Sequence, residues 1–187
     1  MADLKISQLS AATALAGTEV VPVVQGGSTK KATIDQILAP ASGKGLNFSA
    51  AGGDTLTMYD EGTWTPVIVG SSSAGAGTYP VQTGTYTRIG DVVYIQLFLV
   101  WTAHTGTGNM FIDGLPFPSK NTSFALHAAS IGQFENIGLT IGSTPMAYIA
   151  NNTTQISLRQ MPTGGGAMAN VPIDTAGNMI ISASYKV

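Results

Sequence analysis

Residues 92–101 read Val-Val-Tyr-Ile-Gln-Leu-Phe-Leu-Val-Trp, a run in which only Gln96 interrupts the apolar and aromatic side chains. Such residues favour an extended strand, in which successive side chains point to opposite faces. Both faces are therefore apolar, whereas an antiparallel sheet commonly shows one face to water. Either the strand lies between two layers, or its outer face meets another subunit. We favour a subunit interface. Four side chains are predicted to line it: Val93, Ile95, Leu97 and Leu99.

Strand signals surround this segment from residue 55 to residue 187. Residues 85–89 and 91–95 are predicted to pair as a hairpin across Gly90, and residues 63–69 are predicted to form one strand. Residues 178–187 mostly alternate, which indicates a half-buried closing strand. One face of that strand is predicted to carry Met179, Ile181, Ala183, Tyr185 and Val187. Several short strands at this spacing predict an all-β fold, an antiparallel, jelly-roll-like β-sandwich.

The first 38 residues form a separate predicted module. Residues 19–24 and 28–32 read as a hairpin turning at Gln25-Gly26-Gly27, and Thr33 as the N-cap of a short helix over residues 34–38. About 40 residues without a disulfide bury too little surface to be stable alone. We therefore expect this module to dock on a partner. A linker rich in small residues over 39–54 then leads to the β-domain, 55–187.

The composition excludes several classes of protein. Only 10% of residues are charged, against about 25% in an ordinary domain. Because interface centres are depleted in charge, this deficit favours self-association. The net charge of −2 and scattered basic residues argue against nucleic-acid binding, and the lack of cysteine removes disulfides and thiolate chemistry. Residues 1–17 do not resemble a secretory signal, and residues 92–101 are about half as long as a membrane span, so membrane insertion is not expected.

No arrangement of residues predicts catalysis, a metal or a cofactor. The two histidines, His104 and His127, have no carboxylates at metal-binding spacing. Asp60 and Glu61 are adjacent, and neighbours in a strand point to opposite faces, so they cannot flank one sugar as glycosidase carboxylates do. No nucleophile-elbow motif occurs. Exposed aromatic rings could still stack on sugars. Three residues in or beside predicted loops are candidates for a ligand-binding site: Tyr79, Trp101 and His104. The alternative is that Trp101 simply ends a buried strand.

Two stretches resemble known proteins. Residues 5–9 (Lys-Ile-Ser-Gln-Leu) with 17–27 (Gly-Thr-Glu-Val-Val-Pro-Val-Val-Gln-Gly-Gly) resemble the N-terminal segment of phage tail-fibre and virion-appendage proteins. The runs 43–49, 59–66, 84–90 and 112–117, which include Tyr-Asp-Glu-Gly-Thr-Trp-Thr-Pro and Ile-Asp-Gly-Leu-Pro-Phe, are similar to the C-terminal β-domains of such fibres.

The resemblance implies a homotrimer in the virion, assembled in the host cytoplasm, with an N-terminal anchor and no catalytic residues. The anchor would dock on another virion protein of the tail, baseplate, neck or capsid, and the β-domain would face a host surface glycan. Its docking residues are predicted to be Leu9, Val21, Val23, Ile34 and Leu38. A capsid or neck decoration protein is the alternative, and a small depolymerase is a third hypothesis.

Overall fold

The structure, a computed structural model, describes residues 20–33, 46–47, 55–56 and 58–187. The chain divides into two compact units, Met1–Thr57 and Met58–Val187. Every regular element in the described residues is a β-strand, so the all-β prediction is confirmed. The helix predicted over residues 34–38 lies outside the described residues, as do Leu9, Ile34 and Leu38.

The first unit contains two small antiparallel pairs. Strands β1 (Val20–Gln25) and β2 (Ser28–Thr33) pair across Gly26 and Gly27, which both have positive φ, as a tight hairpin turn requires. Strands β3 (Leu46–Asn47) and β4 (Thr55–Leu56) form a second, two-residue ladder. The hairpin agrees with the one predicted from the sequence.

The second unit is built on one ten-stranded antiparallel sheet. Along the path of paired strands the order is β5-β8-β9-β16-β12-β13-β14-β11-β6; β15 pairs with β14, and β7 and β10 form a separate pair. Their bounds are β5 Tyr59–Trp64, β6 Val67–Gly70, β7 Gly77–Thr78, β8 Val81–Ile89, β9 Val92–Trp101, β10 Ala103–His104, β11 Met110–Asp113, β12 His127–Glu135, β13 Ser143–Ile149, β14 Ile156–Pro162, β15 Ala169–Asn170 and β16 Gly177–Lys186.

The sheet curls because its two edges are neighbours in the chain. Strand β5 lies at one end of the strand order and β6 at the other, yet only Thr65 and Pro66 separate them. One face of every long strand is thereby turned towards the same interior, as in a β-sandwich. The prediction of a single strand over 63–69 is wrong, since the segment breaks at Pro66, which has no N–H for a ladder.

The core fills the interior of the curl. Its buried apolar side chains include Trp64, Ile68, Leu97, Leu99, Trp101, Met110, Ile112, Ile149, Ile156, Leu158, Met179, Ile181 and Tyr185. The alternation predicted for residues 178–187 is confirmed, because Met179, Ile181 and Tyr185 of β16 are buried, while Ser182 and Ser184 are exposed.

The prediction of a subunit interface at Val93, Ile95, Leu97 and Leu99 requires correction. All four side chains are at most 4% exposed, and they pack in the interior of their own chain. The inner face of β9 is thus covered by the curl of the sheet and is unavailable to a second chain. The residues that remain open on this strand are the alternate ones, Tyr94, Gln96 and Phe98.

Candidate functional surface

The outer face of four adjacent strands forms a broad uncharged surface. Its members point away from the core on β8, β9, β16 and β12, and we call this set the outer face: Thr83, Thr85, Thr87, Tyr94, Gln96, Phe98, Ile180, Ser182, Ser184, Ala128 and Ser130. Cross-strand register aligns its residues in rows, one of which runs Thr85, Gln96, Ser182 and Ser130. Side chains in such rows lie within contact distance of one another.

Three shallow depressions lie on the outer face. The largest, about 330 Å³, lies among Thr83, Thr85, Gln96 and Phe98, and its neighbours measure about 300 Å³ and 240 Å³ and flank Tyr94. Tyr94 is 53% exposed and Phe98 is 36% exposed. The surface therefore offers aromatic rings between hydroxyl and amide groups, with no formal charge at its centre. Such a composition is that of an interface core or of a sugar platform.

Two of the three predicted ligand-binding residues close an edge of the sheet. The edge strand β6 presents the N–H and C=O of Ile68 away from its neighbour β11. The N–H donates to Tyr79 Oη at 2.9 Å, and the C=O lies 2.9 Å from His104 Nε2. Since the N–H of Gly106 donates to His104 Nδ1 at 3.0 Å, Nε2 carries the hydrogen that is donated to Ile68. Half-burial raises the pKa of Tyr79.

The edge of β6 is capped at other positions as well. Gln82 Nε2 donates to the C=O of Pro66 at 2.9 Å, and the N–H of Gly70 donates to the C=O of Ala74 at 3.2 Å. Unpaired edges invite further strands, and capping removes that hazard. Tyr79 and His104 thus have a structural role at this edge, and His104 is buried, so the structure does not offer His104 to a ligand.

Trp101, the third predicted ligand-binding residue, belongs to the core. Its side chain is 1% exposed, and its Nε1 donates to the C=O of Asp174 at 3.1 Å. The alternative reading of this residue, as the end of a buried strand, is the correct one. Alternation along β9 places Tyr94 and Phe98 together on the face opposite to Trp101, and the curl of the sheet leaves that face exposed.

The adjacent acidic residues point to opposite faces, as predicted. Asp60 Oδ2 accepts a hydrogen bond from Tyr86 Oη at 3.1 Å, whereas Glu61 Oε2 accepts one from Tyr59 Oη at 2.8 Å. The hydrogen bond to Glu61 and its charge raise the pKa of Tyr59. Within the described ranges, no group of three or more His, Cys, Asp or Glu side chains is placed to hold a metal ion. Every regular element of the described residues is a strand, and no helix long and apolar enough to span a membrane occurs among them.

His127 occupies the inner side at the start of β12. Its ring centroid lies 6.4 Å from that of Tyr185, and its Nε2 is buried without a hydrogen-bond partner among the described residues. Burial, with the nearby charge of Lys186, lowers the pKa of His127. Burial raises the pKa of Tyr185 to about 12, and Tyr185 Oη donates to the C=O of Phe117 at 3.0 Å.

Comparison with known proteins identifies a similar fold. No family model matches the chain, and no curated protein matches it. The crystal structure of the Dettilon tailspike protein aligns with a TM-score of 0.54 at 19% sequence identity. The alignment covers 68% of this chain and 24% of the tailspike chain, so the chain corresponds to about a quarter of that protein. At this identity the likeness shows a shared β fold.

Proposed function

We propose that the chain is a non-enzymatic structural protein of a phage tail, which works as a homotrimer. The observation that carries this proposal is the tailspike fold, which extends over 68% of the chain. The motifs at residues 59–66 and 112–117, which resemble phage fibre domains, support it independently because they were recognised from sequence. In the described part of the chain, these motifs correspond to β5 with the turn at Pro66, and to β11 with the turn that follows it.

The outer face is the surface that we propose for self-association. It joins eleven uncharged residues on four strands, and charge depletion marks the centre of an interface. Its aromatic members, Tyr94 and Phe98, are of the residue types that anchor interfaces. The proposal moves the trimer interface from the inner face of β9, predicted from sequence, to the opposite face of the same strand.

Light scattering of the purified full chain tests the trimer. One chain has a mass of 19.2 kDa, so a trimer has three times that, about 58 kDa. The variant Phe98→Asp places a charge at the centre of the outer face and is expected to yield monomers, because a buried unpaired charge is costly. Ile141→Asp is the matched control, since Ile141 is fully exposed and lies outside the outer face. A monomeric wild type at micromolar concentration would refute the trimer.

The N-terminal module is proposed to attach the protein to another virion component. Val21 and Val23 of β1 are half-buried, whereas Val20 and Val24, on the other face of the hairpin, are 56% and 77% exposed. Exposed valines on a short hairpin are suited to docking. Val24→Asp is expected to reduce incorporation into particles, and the trimer mass should not change. Labelling of the protein in whole particles shows where in the particle it lies. Signal on the head would favour the decoration protein over the fibre.

Host-surface glycan is the proposed ligand of the tail protein, and no catalysis is proposed. A glycan array probed with the intact oligomer tests the first point, because avidity raises the signal of weak single sites. Release of reducing ends from host polysaccharide tests the second. Cleavage that one Asp or Glu substitution abolishes would establish a depolymerase instead.

A further inference from the structure

Four polar or aromatic side chains line one end of the sheet's interior. Cross-strand register places Asp60 opposite Arg88, and places Val93 between Arg88 and Tyr185. His127, on the next strand, has its ring beside that of Tyr185. We call Asp60, Arg88, Tyr185 and His127 the polar row. It lies at the end of the strands where β8 turns into β9, away from the exposed aromatic residues of the outer face.

The guanidinium of Arg88 is held in a fixed orientation. Its Nε donates to the C=O of Gly90 at 2.9 Å, and its Cζ lies 4.9 Å from the centroid of the Phe117 ring. That ring is itself positioned by an edge contact with Tyr86, with centroids 5.5 Å apart. A guanidinium has five N–H groups. No described residue accepts a hydrogen bond from the four on its terminal nitrogens, so the guanidinium is oriented and these four donors have no partner in the described part of the chain.

The positive charge of Arg88 has no direct counter-ion in the described part of the chain. Asp60 lies opposite in register, but its Oδ2 accepts from Tyr86 and the two charges come no closer than 4 Å. The ion pair within that limit, among described residues, joins Lys120 Nζ to Asp91 Oδ2 at 3.9 Å. Arg88 is half-buried, and the carboxylate next to it, Asp60, is hydrogen-bonded to Tyr86 instead. The guanidinium of Arg88 is therefore suited to bind the carboxylate of a ligand.

Two further features favour an anion at this end. His127 Nε2 is buried and has no described hydrogen-bond partner, although most buried polar atoms have one. Lys186, which follows Tyr185, adds a second positive charge close enough to His127 to lower its pKa. Arg88 and His127 thus lie on the same inner face as Tyr185, whereas Lys186 belongs to the opposite face of β16, and one oxygen of the Asp60 carboxylate accepts from Tyr86.

We propose that the polar row binds a carboxylate-bearing ligand, with Arg88 as its bidentate partner. The planar fork of a guanidinium matches the two oxygens of a carboxylate, and this pairing is stronger and more directional than a lysine contact. The identity of the ligand rests on the proposed function: in a glycan-binding tail protein it is an acidic sugar, a hexuronate. The carboxylate site itself rests on the geometry of Arg88, with the unpartnered Nε2 of His127 as a second observation.

Calorimetric titration of the full chain with sodium glucuronate tests the site, with glucose as the uncharged comparison at equal ionic strength. Glucuronate is expected to bind with a Kd on the order of 1 mM, and glucose is expected not to bind. Arg88→Gln should weaken glucuronate binding at least tenfold. Arg159→Gln is the matched control, because this substitution removes the same charge outside the polar row. Arg159 lies on β14, where its side chain is hydrogen-bonded to Asn170.

The variant Asp60→Asn distinguishes loss of the carboxylate site from misfolding of the protein. Removing the nearby negative charge of Asp60, which repels an incoming carboxylate, should strengthen glucuronate binding several-fold, a gain that an unfolded protein cannot produce. Arg88→Lys should retain weaker binding, because the charge stays and the fork is lost. Glucuronate binding that Arg88→Gln leaves unchanged, or that glucose or inorganic sulfate matches, would overturn the carboxylate site. A monomer by light scattering that still binds glucuronate would refute the trimer and keep the site; a trimer without glucuronate binding would do the reverse.

Discussion

The two faces of β9 are both largely apolar in sequence, with Gln96 as the exception on the outer face, and they differ in what covers them. Val93 and Leu99 on the inner face are fully buried, whereas Tyr94 and Phe98 on the outer face keep 53% and 36% of their exposed area. The difference arises from the curl of the sheet, which buries one face within the chain and leaves the other open. An apolar strand therefore reveals that both surfaces avoid water, and the fold determines which surface its own chain covers.

The largest expected effect separates these faces directly. Leu97→Ala on the inner face should lower the free energy of unfolding by about 2–5 kcal/mol, since it leaves a cavity in a closely packed core. Phe98→Ala, one residue along, should cost less than about 1 kcal/mol at protein concentrations low enough to keep the chain monomeric. Urea unfolding at fixed protein concentration measures both. Equal losses would mean that the outer face is buried in the single chain too.

The packing of the inner face can also be tested by adding a methyl group to the core. A Cβ at Gly84 on β8 would lie 2.5 Å from Trp64 Nε1, so Gly84→Ala must displace the indole. We expect a loss of about 1–3 kcal/mol, as for other overpacked cores. Gly164→Ala is the control, because a Cβ there meets nothing within 4 Å and its φ is not positive; it should stay within about 0.5 kcal/mol of wild type.

The capped edge predicts a smaller effect for a single hydroxyl. Tyr79→Phe keeps the ring and removes the acceptor of the Ile68 N–H, so it should cost about 1 kcal/mol. Tyr94→Phe, on the outer face, removes a hydroxyl that has no partner among the described residues and should leave the free energy of unfolding unchanged. Chemical denaturation of the two variants side by side provides the measurement. Equal stabilities would show that the edge of β6 does not depend on its cap.

The smallest expected effect depends on pH. Because burial and Lys186 lower the pKa of His127 below 6.5, the folded chain binds fewer protons than the unfolded chain once the pH falls below 6.5. Stability is therefore fully present above about pH 6.5 and decreases as the pH falls from there towards the lower, folded-state pKa. Thermal unfolding between pH 7.5 and 5.5 should show this decrease in wild type and a shallower one in His127→Gln. Parallel curves would assign the decrease to other groups.

Particular elements show how far sequence reasoning reached. The hairpin at Gly26-Gly27, the β8–β9 turn at Gly90 and the alternation of β16 follow from local rules, and the structure has all three. The break at Pro66 follows from a local rule as well, since proline has no N–H for a ladder, but the prediction of one strand over 63–69 did not apply it. The structural roles of Tyr79 and His104 could not be predicted in this way, because each caps Ile68 and no local pattern reveals a bond across 11 or 36 residues.

Local sequence patterns specify the type of structure: strands, turns, an all-β fold and a surface poor in charge. These features depend on alternation and on the conformations that glycine and proline allow, which are local properties. The choice of the core face of β9, the capping of the β6 edge and the position of Arg88 are set by long-range packing instead. These features depend on how strands that are distant in sequence pack together. An apolar face in the sequence does not reveal whether its own chain or a partner covers it, because both kinds of burial favour the same residue types.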